Sequence, residues 1–200
     1  MHMAQPQPHS NLRTFIVLFL MFSAFIAVPF VMPHVSNAFL YPVSHLGDVQ
    51  ASSERHGIDP YLVCAIIRSE SGWDDGAVSE VGAVGLMQVM PETAQTMVNF
   101  GLVDAERFPV DDLANPAVNI EYGCAYLGYL AGEFETLEQV IAAYNAGMGP
   151  VHIWMADAET EGDEFADAIA YAETRAYVAQ VLVAYEGYEA SYPSLYPDPE

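Results

Sequence analysis

The chain has 200 residues, enough for one domain with appendages, and 52% are apolar, enough to fill a core. It carries 27 acidic residues against five arginines and no lysine, for a formal net charge of −22. That balance excludes nucleic acid as a partner and disfavours anionic lipid headgroups, because both need a basic surface. The acidic excess reads as a solubilising surface rather than a dedicated cation site.

The N-terminus is a separate segment. Every acidic residue lies after position 38; there, four arginines against 27 carboxylates leave −23. Phe15 to Met32 carries no charge and is interrupted only by Ser23 and Pro29. At eighteen residues it is near the lower limit for a spanning helix, ~20 residues, and long for a signal-peptide core of ~7–15. Length favours a retained anchor, while Ser36-Asn37-Ala38 offers a cleavage site. Either way Arg13 stays cytoplasmic and the acidic part is exported. The expected organisation is an anchor or signal peptide over 1–38, a juxtamembrane linker over 39–47, a helical domain over 48–192 and a tail over 193–200.

From Asp48 the pattern is helical. A first helix covers Gly47 to His56 and stops at Gly57. Asp59-Pro60 starts a second with an N-cap acceptor and a proline at the first helical position; it runs to Glu70. Ser71 to Val84 is a glycine-rich loop, Pro91 to Phe100 a helix stopped by Gly101, and Leu102 to Asn115 a polar connector. Asn115-Pro116 restarts a helix with Ile120, Gly123, Cys124, Leu127 and Leu130 on one face. Thr136 caps the next, whose apolar side is Leu137, Val140, Ile141 and Tyr144, and Asn145 to Pro150 ends it. Val151 to Met155 is short and apolar, and Asp157 to Asp167 an acidic loop. The final helix runs from Ala172 to Ala190 with a stripe of Tyr177, Val181, Tyr185 and Tyr188. No strand is expected, so the domain is mostly α. Export permits a disulfide between Cys64 and Cys124, but both lie on apolar helical faces, and the pairing stays open.

Glu70 is the informative residue. It closes the apolar segment Tyr61 to Ile67 and precedes Trp73. A carboxylate there must be neutralised, paired or put to use. Desolvation would raise its pKa and keep it protonated near neutrality, as a general acid requires; the lysozyme glutamate is the standard example of this arrangement. Taken alone, it reads better as a helix-terminal glutamate in water. Gln88 interrupts the apolar run L-M-Q-V-M, and its amide needs either a ligand or nearby backbone.

Five motifs stand in order. They are Glu70-Ser71 closing a helix that begins at Ile58-Asp59-Pro60, Ser79 followed by G-A-V-G-L-M-Q-V-M-P over 82–91, N-P-A-V-N-I-E-Y-G-C-A-Y-L over 115–127, A-Y-N-A-G over 143–147, and E-T-R-A-Y-V over 173–178. Together, over roughly residues 45 to 190, they resemble lytic transglycosylases of the soluble-lytic-transglycosylase (SLT) type, a branch of the lysozyme-like superfamily. The resemblance implies a lysozyme-like, goose-type α-helical domain that cleaves peptidoglycan glycan strands as a monomer, without metal or organic cofactor. It implies Glu70 as the single catalytic acid and base. It places Ser71, Ser79, Gln88, Met90, Tyr144, Asn145 and Glu173 at the substrate, with the Tyr144 hydroxyl pointing at Glu70. By their own chemistry Asn145 and Gly147 shape a helix end, Glu173 suits a first helical turn, and Arg175 pairs with some carboxylate. One departure is Ile169-Ala170, where the family commonly has proline after isoleucine.

Two other enzyme or module readings remain. A muramidase would need a water-positioning group such as Asp74 or Asp75. A non-catalytic peptidoglycan-binding module would not need the Glu70, Gln88 and Tyr144 set. A calcium loop over Asp157 to Ala168 lacks its bidentate ligand, because its twelfth position is Ala168.

Overall fold

The computed structural model describes residues 40–161 and 164–193. The apolar stretch Phe15 to Met32, with the anchor and cleavage readings attached to it, and the tail from 194 lie outside those residues. Among the described residues no helix is long and apolar enough to cross a membrane.

Among the described residues, eight helices carry the domain: α1 Leu46–His56, α2 Pro60–Glu70, α3 Pro91–Asn99, α4 Pro116–Glu133, α5 Leu137–Ala146, α6 Met148–Glu161, α7 Phe165–Ala168 and α8 Ala172–Ser191, with a 3₁₀ turn at Val110–Asp112. Their ends follow local chemistry. Gly57 stops α1 in the left-handed region at φ 66°. The Asp59 and Asn115 carboxylate and amide oxygens accept from the Tyr61 and Ala117 N–H groups, at 2.8 and 3.0 Å. Each is followed by proline, whose missing N–H costs nothing in a first turn. Thr136 and Gln139 cap α5 reciprocally.

Helix α2 is the spine. Leu62 to Ile67 are all buried, six consecutive residues, so this helix has neighbours on every side. Helix α8 lies along it, α4 packs on α1 and α5, and α5 also contacts α6 and α8. The predicted face of α4 is buried, and Met87 sits on Gly123, where a Cβ would come within 2.3 Å of its sulfur. Cys64 and Cys124 are both buried, and no disulfide joins them.

One expectation is corrected. The stretch from Val151 through the first acidic residues is not a short apolar piece and a loop. Helix α6 starts at Met148 and runs to Glu161, and Phe165–Ala168 adds a further turn. Pro150 lies in the first turn of α6, where it is tolerated, and the Ala- and Glu-rich run after Met155 has high helix propensity. The segment entering the domain is also ordered against it. Tyr41 and Val43 pack on the core, and Tyr41 lies so close to Gly187 that a Cβ there would approach its ring to 2.1 Å.

Candidate active site

Glu70 is the last residue of α2, half-buried where the apolar helix meets the glycine-rich loop. Burial pushes its pKa up to about 6, against the lowering effect of a hydrogen bond from Tyr177. The Tyr177 hydroxyl donates to Glu70 Oε1 at 2.5 Å. The expected Tyr144 contact is therefore corrected. The Tyr144 hydroxyl donates instead to the Met87 carbonyl at 2.8 Å. Tyr144 comes from α5, which faces the 85–90 loop, whereas α8 runs beside α2 and brings Tyr177 to its end. Both hydroxyls are held neutral by burial and the nearby Glu70 charge. The sequence did not mark Tyr177 because it reads there as one position of an apolar helical stripe.

The loop after Glu70 is built from its own backbone. Ser71 Oγ donates to the Ile67 carbonyl at 3.2 Å and accepts from the Trp73 N–H at 3.1 Å. Ser79 Oγ accepts from the Ala83 N–H at 2.9 Å, which fixes the turn over 79–83. Isolated bridges link Val78 to Val84 and Val84 to Val89. Gly85 has φ 75°, and a Cβ there would lie 2.6 Å from the Asn119 amide. Asn119, fully buried on α4, accepts from the Met87 N–H at 2.8 Å. It donates to the Val84 and Leu113 carbonyls at 2.7 and 3.0 Å. It thus holds the G-L-M-Q turn from below. Its polar side chain in an otherwise apolar helix was the signal available in the sequence. Gln88 adopts φ 46°, and its Nε2 donates to the Gly85 and Ala77 carbonyls at 2.8 and 3.2 Å. Its amide nitrogen thus serves the loop.

Gln88, Met90, Tyr144 and Asn145 line one cavity of about 260 Å³, with Tyr126 and Gly147. The Tyr126 and Tyr144 rings meet at 5.4 Å on its wall. Ser79 and Glu173 do not line that cavity. Glu173 is exposed in the first turn of α8, and its neighbour Thr174 donates to Asn145 Oδ1 at 2.8 Å, which ties α8 to the end of α5. Ile169 is fully buried just before this turn, so an apolar anchor precedes Glu173 where proline was expected. Arg175 is exposed and forms no ion pair among the described residues, contrary to its expected pairing. Asp74 accepts from the Gly76 N–H at 2.9 Å, and Asp75 pairs with His45 at 3.2 Å; both are exposed. Asp157 lies within α6 rather than in a loop, and the described residues contain no His, Cys, Asp or Glu group able to hold a metal ion.

These features define a class: a mostly helical domain with a partly buried glutamic acid, held by a tyrosine, at the end of its central helix. The chain belongs to the transglycosylase SLT domain family, whose model matches residues 48–166. It is 41% identical over 127 residues to the soluble lytic murein transglycosylase of Salmonella typhimurium, covering 62% of this chain and 19% of that protein. It is 32% identical over 139 residues to membrane-bound lytic murein transglycosylase C of Haemophilus influenzae, covering 64% and 37%. The fold matches an inactive Glu-to-Gln mutant of lytic transglycosylase Slt from Pseudomonas aeruginosa, with TM-score 0.68, 32% identity and coverage of 80% of this chain and 26% of that one. The 70 kDa soluble lytic transglycosylase of Escherichia coli gives TM-score 0.70 at 30% identity, with 81% and 27% covered. The chain therefore spans about a fifth of the length of the soluble relative and over a third of the membrane-bound one.

Proposed function

We propose that this domain is a peptidoglycan lytic transglycosylase that cleaves the β-1,4 bond between N-acetylmuramic acid and N-acetylglucosamine. The observation that carries the reading is Glu70, raised to about 6 by burial and hydrogen-bonded by Tyr177. A group with that pKa is protonated often enough near neutrality to give its proton and basic enough to take one back.

Glu70 donates its proton to the glycosidic oxygen as the C1–O bond breaks. The substrate's own N-acetyl oxygen bonds to C1 and carries the developing positive charge, so no second carboxylate is required. Glu70, now a carboxylate held by the Tyr177 hydroxyl, removes the proton from the muramic 6-hydroxyl. That oxygen attacks C1, the acetamido oxygen leaves, and a 1,6-anhydro end forms with no water consumed. Ser71, Ser79, Gln88, Met90, Tyr144, Asn145 and Glu173 are the substrate-binding residues of this reading. The cavity shared by Gln88, Met90, Tyr144 and Asn145 supports four of them. Residues 1–38 are read as the membrane anchor of a monomeric domain acting outside the cytoplasm, in keeping with a membrane-bound relative. The chemistry uses no metal or organic cofactor.

The test is digestion of purified sacculi with the protein and its Glu70→Gln variant, followed by product masses. Anhydro products one water lighter than reducing ends are expected, with a loss of ~10²-fold or more in the variant. Reducing ends alone would assign a muramidase. Binding without cleavage would assign a non-catalytic module.

A further inference from the structure

We propose that Tyr188 is a positioning residue for Glu70, acting through Trp73, and that the entering segment at Tyr41-Pro42 is the third member of the same brace. The inference rests on the reading of Glu70 as the acid.

Trp73 follows Glu70 by three residues and adopts φ 70°, a left-handed backbone that a bulky residue holds only when its surroundings impose it. Two contacts do so. The Trp73 N–H donates to Ser71 Oγ at 3.1 Å, and its indole Nε1 donates to the Tyr188 hydroxyl at 2.8 Å. Tyr188 is fully buried, and its hydroxyl in turn donates to the Pro42 carbonyl at 2.8 Å. The Tyr41 ring meets the Tyr188 ring edge-on at 5.3 Å, so ring and hydroxyl are both fixed. One oxygen therefore joins the turn that leaves Glu70 to the segment that enters the domain. That segment lies ahead of residue 48, where the family match begins.

The same face of α8 makes the direct contact. Tyr177 and Tyr188 are eleven residues apart, about three helical turns, and Val181 and Ala184 between them are fully buried. Helix α8 therefore grips the acid at one point and the loop beyond it at another. The direct bond sets the carboxyl; the Trp73 bond fixes the turn that follows it in the chain. Without the second, the turn is free to relax from its left-handed conformation, and water reaches Glu70.

The groups around this path are few. Tyr177 and Tyr144 face Glu70 and are neutral. Arg68 and Cys64 act on Tyr188, with the Arg68 guanidinium 5.4 Å from the Tyr41 ring centre.

The experiment uses the full chain and three variants. Tyr188→Phe keeps the ring and removes both hydrogen bonds. Trp73→Phe removes only the indole donor. Tyr192→Phe is the graded comparison, because its hydroxyl donates to the Tyr41 carbonyl at 2.7 Å and its ring stacks on that of Tyr188 at 6.3 Å, so it loosens the entering segment but leaves the Trp73 and Pro42 bonds in place. The Glu70 pKa is read by carbon NMR on glutamate-labelled protein, assigned with Glu70→Gln, so this readout does not depend on activity. Turnover of soluble peptidoglycan fragments is measured alongside. In Tyr188→Phe and Trp73→Phe, the Glu70 pKa should fall by about half a unit or more toward the ordinary carboxylate value. In both, kcat should drop ~10-fold with KM within about twofold. Tyr192→Phe should move both in the same direction but by clearly less. An unmoved Glu70 pKa in Tyr188→Phe, or equal shifts in Tyr188→Phe and Tyr192→Phe, would overturn the proposal. If the pKa moves but the native protein cleaves no glycan, the brace stands and the catalytic reading fails.

Discussion

At the scale of single residues, two hydroxyl groups act on Glu70 in opposite senses. Tyr177 stabilises the charged form directly, so Tyr177→Phe should raise the Glu70 pKa above about 6 and shift the alkaline limb of the pH–rate profile upward. The prediction fails if that limb stays in place or moves down. Glu70 also carries a stability signature. Its folded pKa is raised from 4.5 to about 6, so the stability it contributes is present below pH 4.5 and lost as pH rises through 6. Glu70→Gln, which cannot ionise, should therefore be more stable than the native protein at pH 7 by about 1–2 kcal/mol, and equal to it near pH 4. Denaturant unfolding at the two pH values measures this. Glu70 was legible in the sequence as the candidate acid only together with its motifs, because a helix-terminal glutamate taken alone fits exposure to water. Its tyrosine partner was not, because Tyr144 and Tyr177 both sit on apolar helix faces, and only the packing of α8 along α2 decides which reaches the carboxyl.

At the scale of elements, the loop over 79–90 depends on a helix distant from it in sequence. Asn119 satisfies three backbone groups of the Val84–Met87 turn and the Leu113 connector. Asn119→Ala would leave them buried and unpaired, at ~1–3 kcal/mol each. We expect a loss of ~3 kcal/mol or more by denaturant unfolding, together with a larger KM as the Gln88 wall loosens. Gly85→Ala should act on the same turn, through both its φ of 75° and the clash with Asn119. Helix starts at Pro60 and Pro116 were readable because cap and proline are local signals, and that at Pro91 from its proline. Helix α6 was misread because a Gly–Pro pair and an acidic run look like a loop, although proline in a first turn and glutamate in a helix are both favourable.

At the scale of the whole molecule, charge is the governing quantity. A net charge of −22 repels itself. Raising salt from ~10 to ~150 mM at pH 7 should therefore raise the Tm, since screening shortens the reach of that repulsion to ~8 Å. Against this background one buried cluster is ordered. Glu121, 2% exposed, accepts from Ser52, Arg55 and His56. Burial alone would raise its pKa, but the hydrogen bonds from His56, Arg55 and Ser52 outweigh burial and hold it at about 2. The stability this lowering represents is complete above pH 4.5 and is lost as pH falls toward 2. Glu121→Gln should therefore flatten the acid side of the stability profile by an amount of order 3 kcal/mol, read from unfolding between pH 5 and 2.

The sequence by itself determined the helical class, the helix starts at Pro60, Pro91 and Pro116, the acidic character and the glutamate on which the proposed chemistry turns. Those follow from periodicity, caps, net charge and ordered motifs, all of which are properties of neighbouring residues. Only the tertiary structure decided which tyrosine holds Glu70, that Asn119 supports the loop from α4, and that Tyr188 joins Trp73 to the segment at Pro42. These contacts span between 32 and 146 residues of chain. They arise because α2 is buried on every side, so the groups at its end must find partners on whichever helices enclose it.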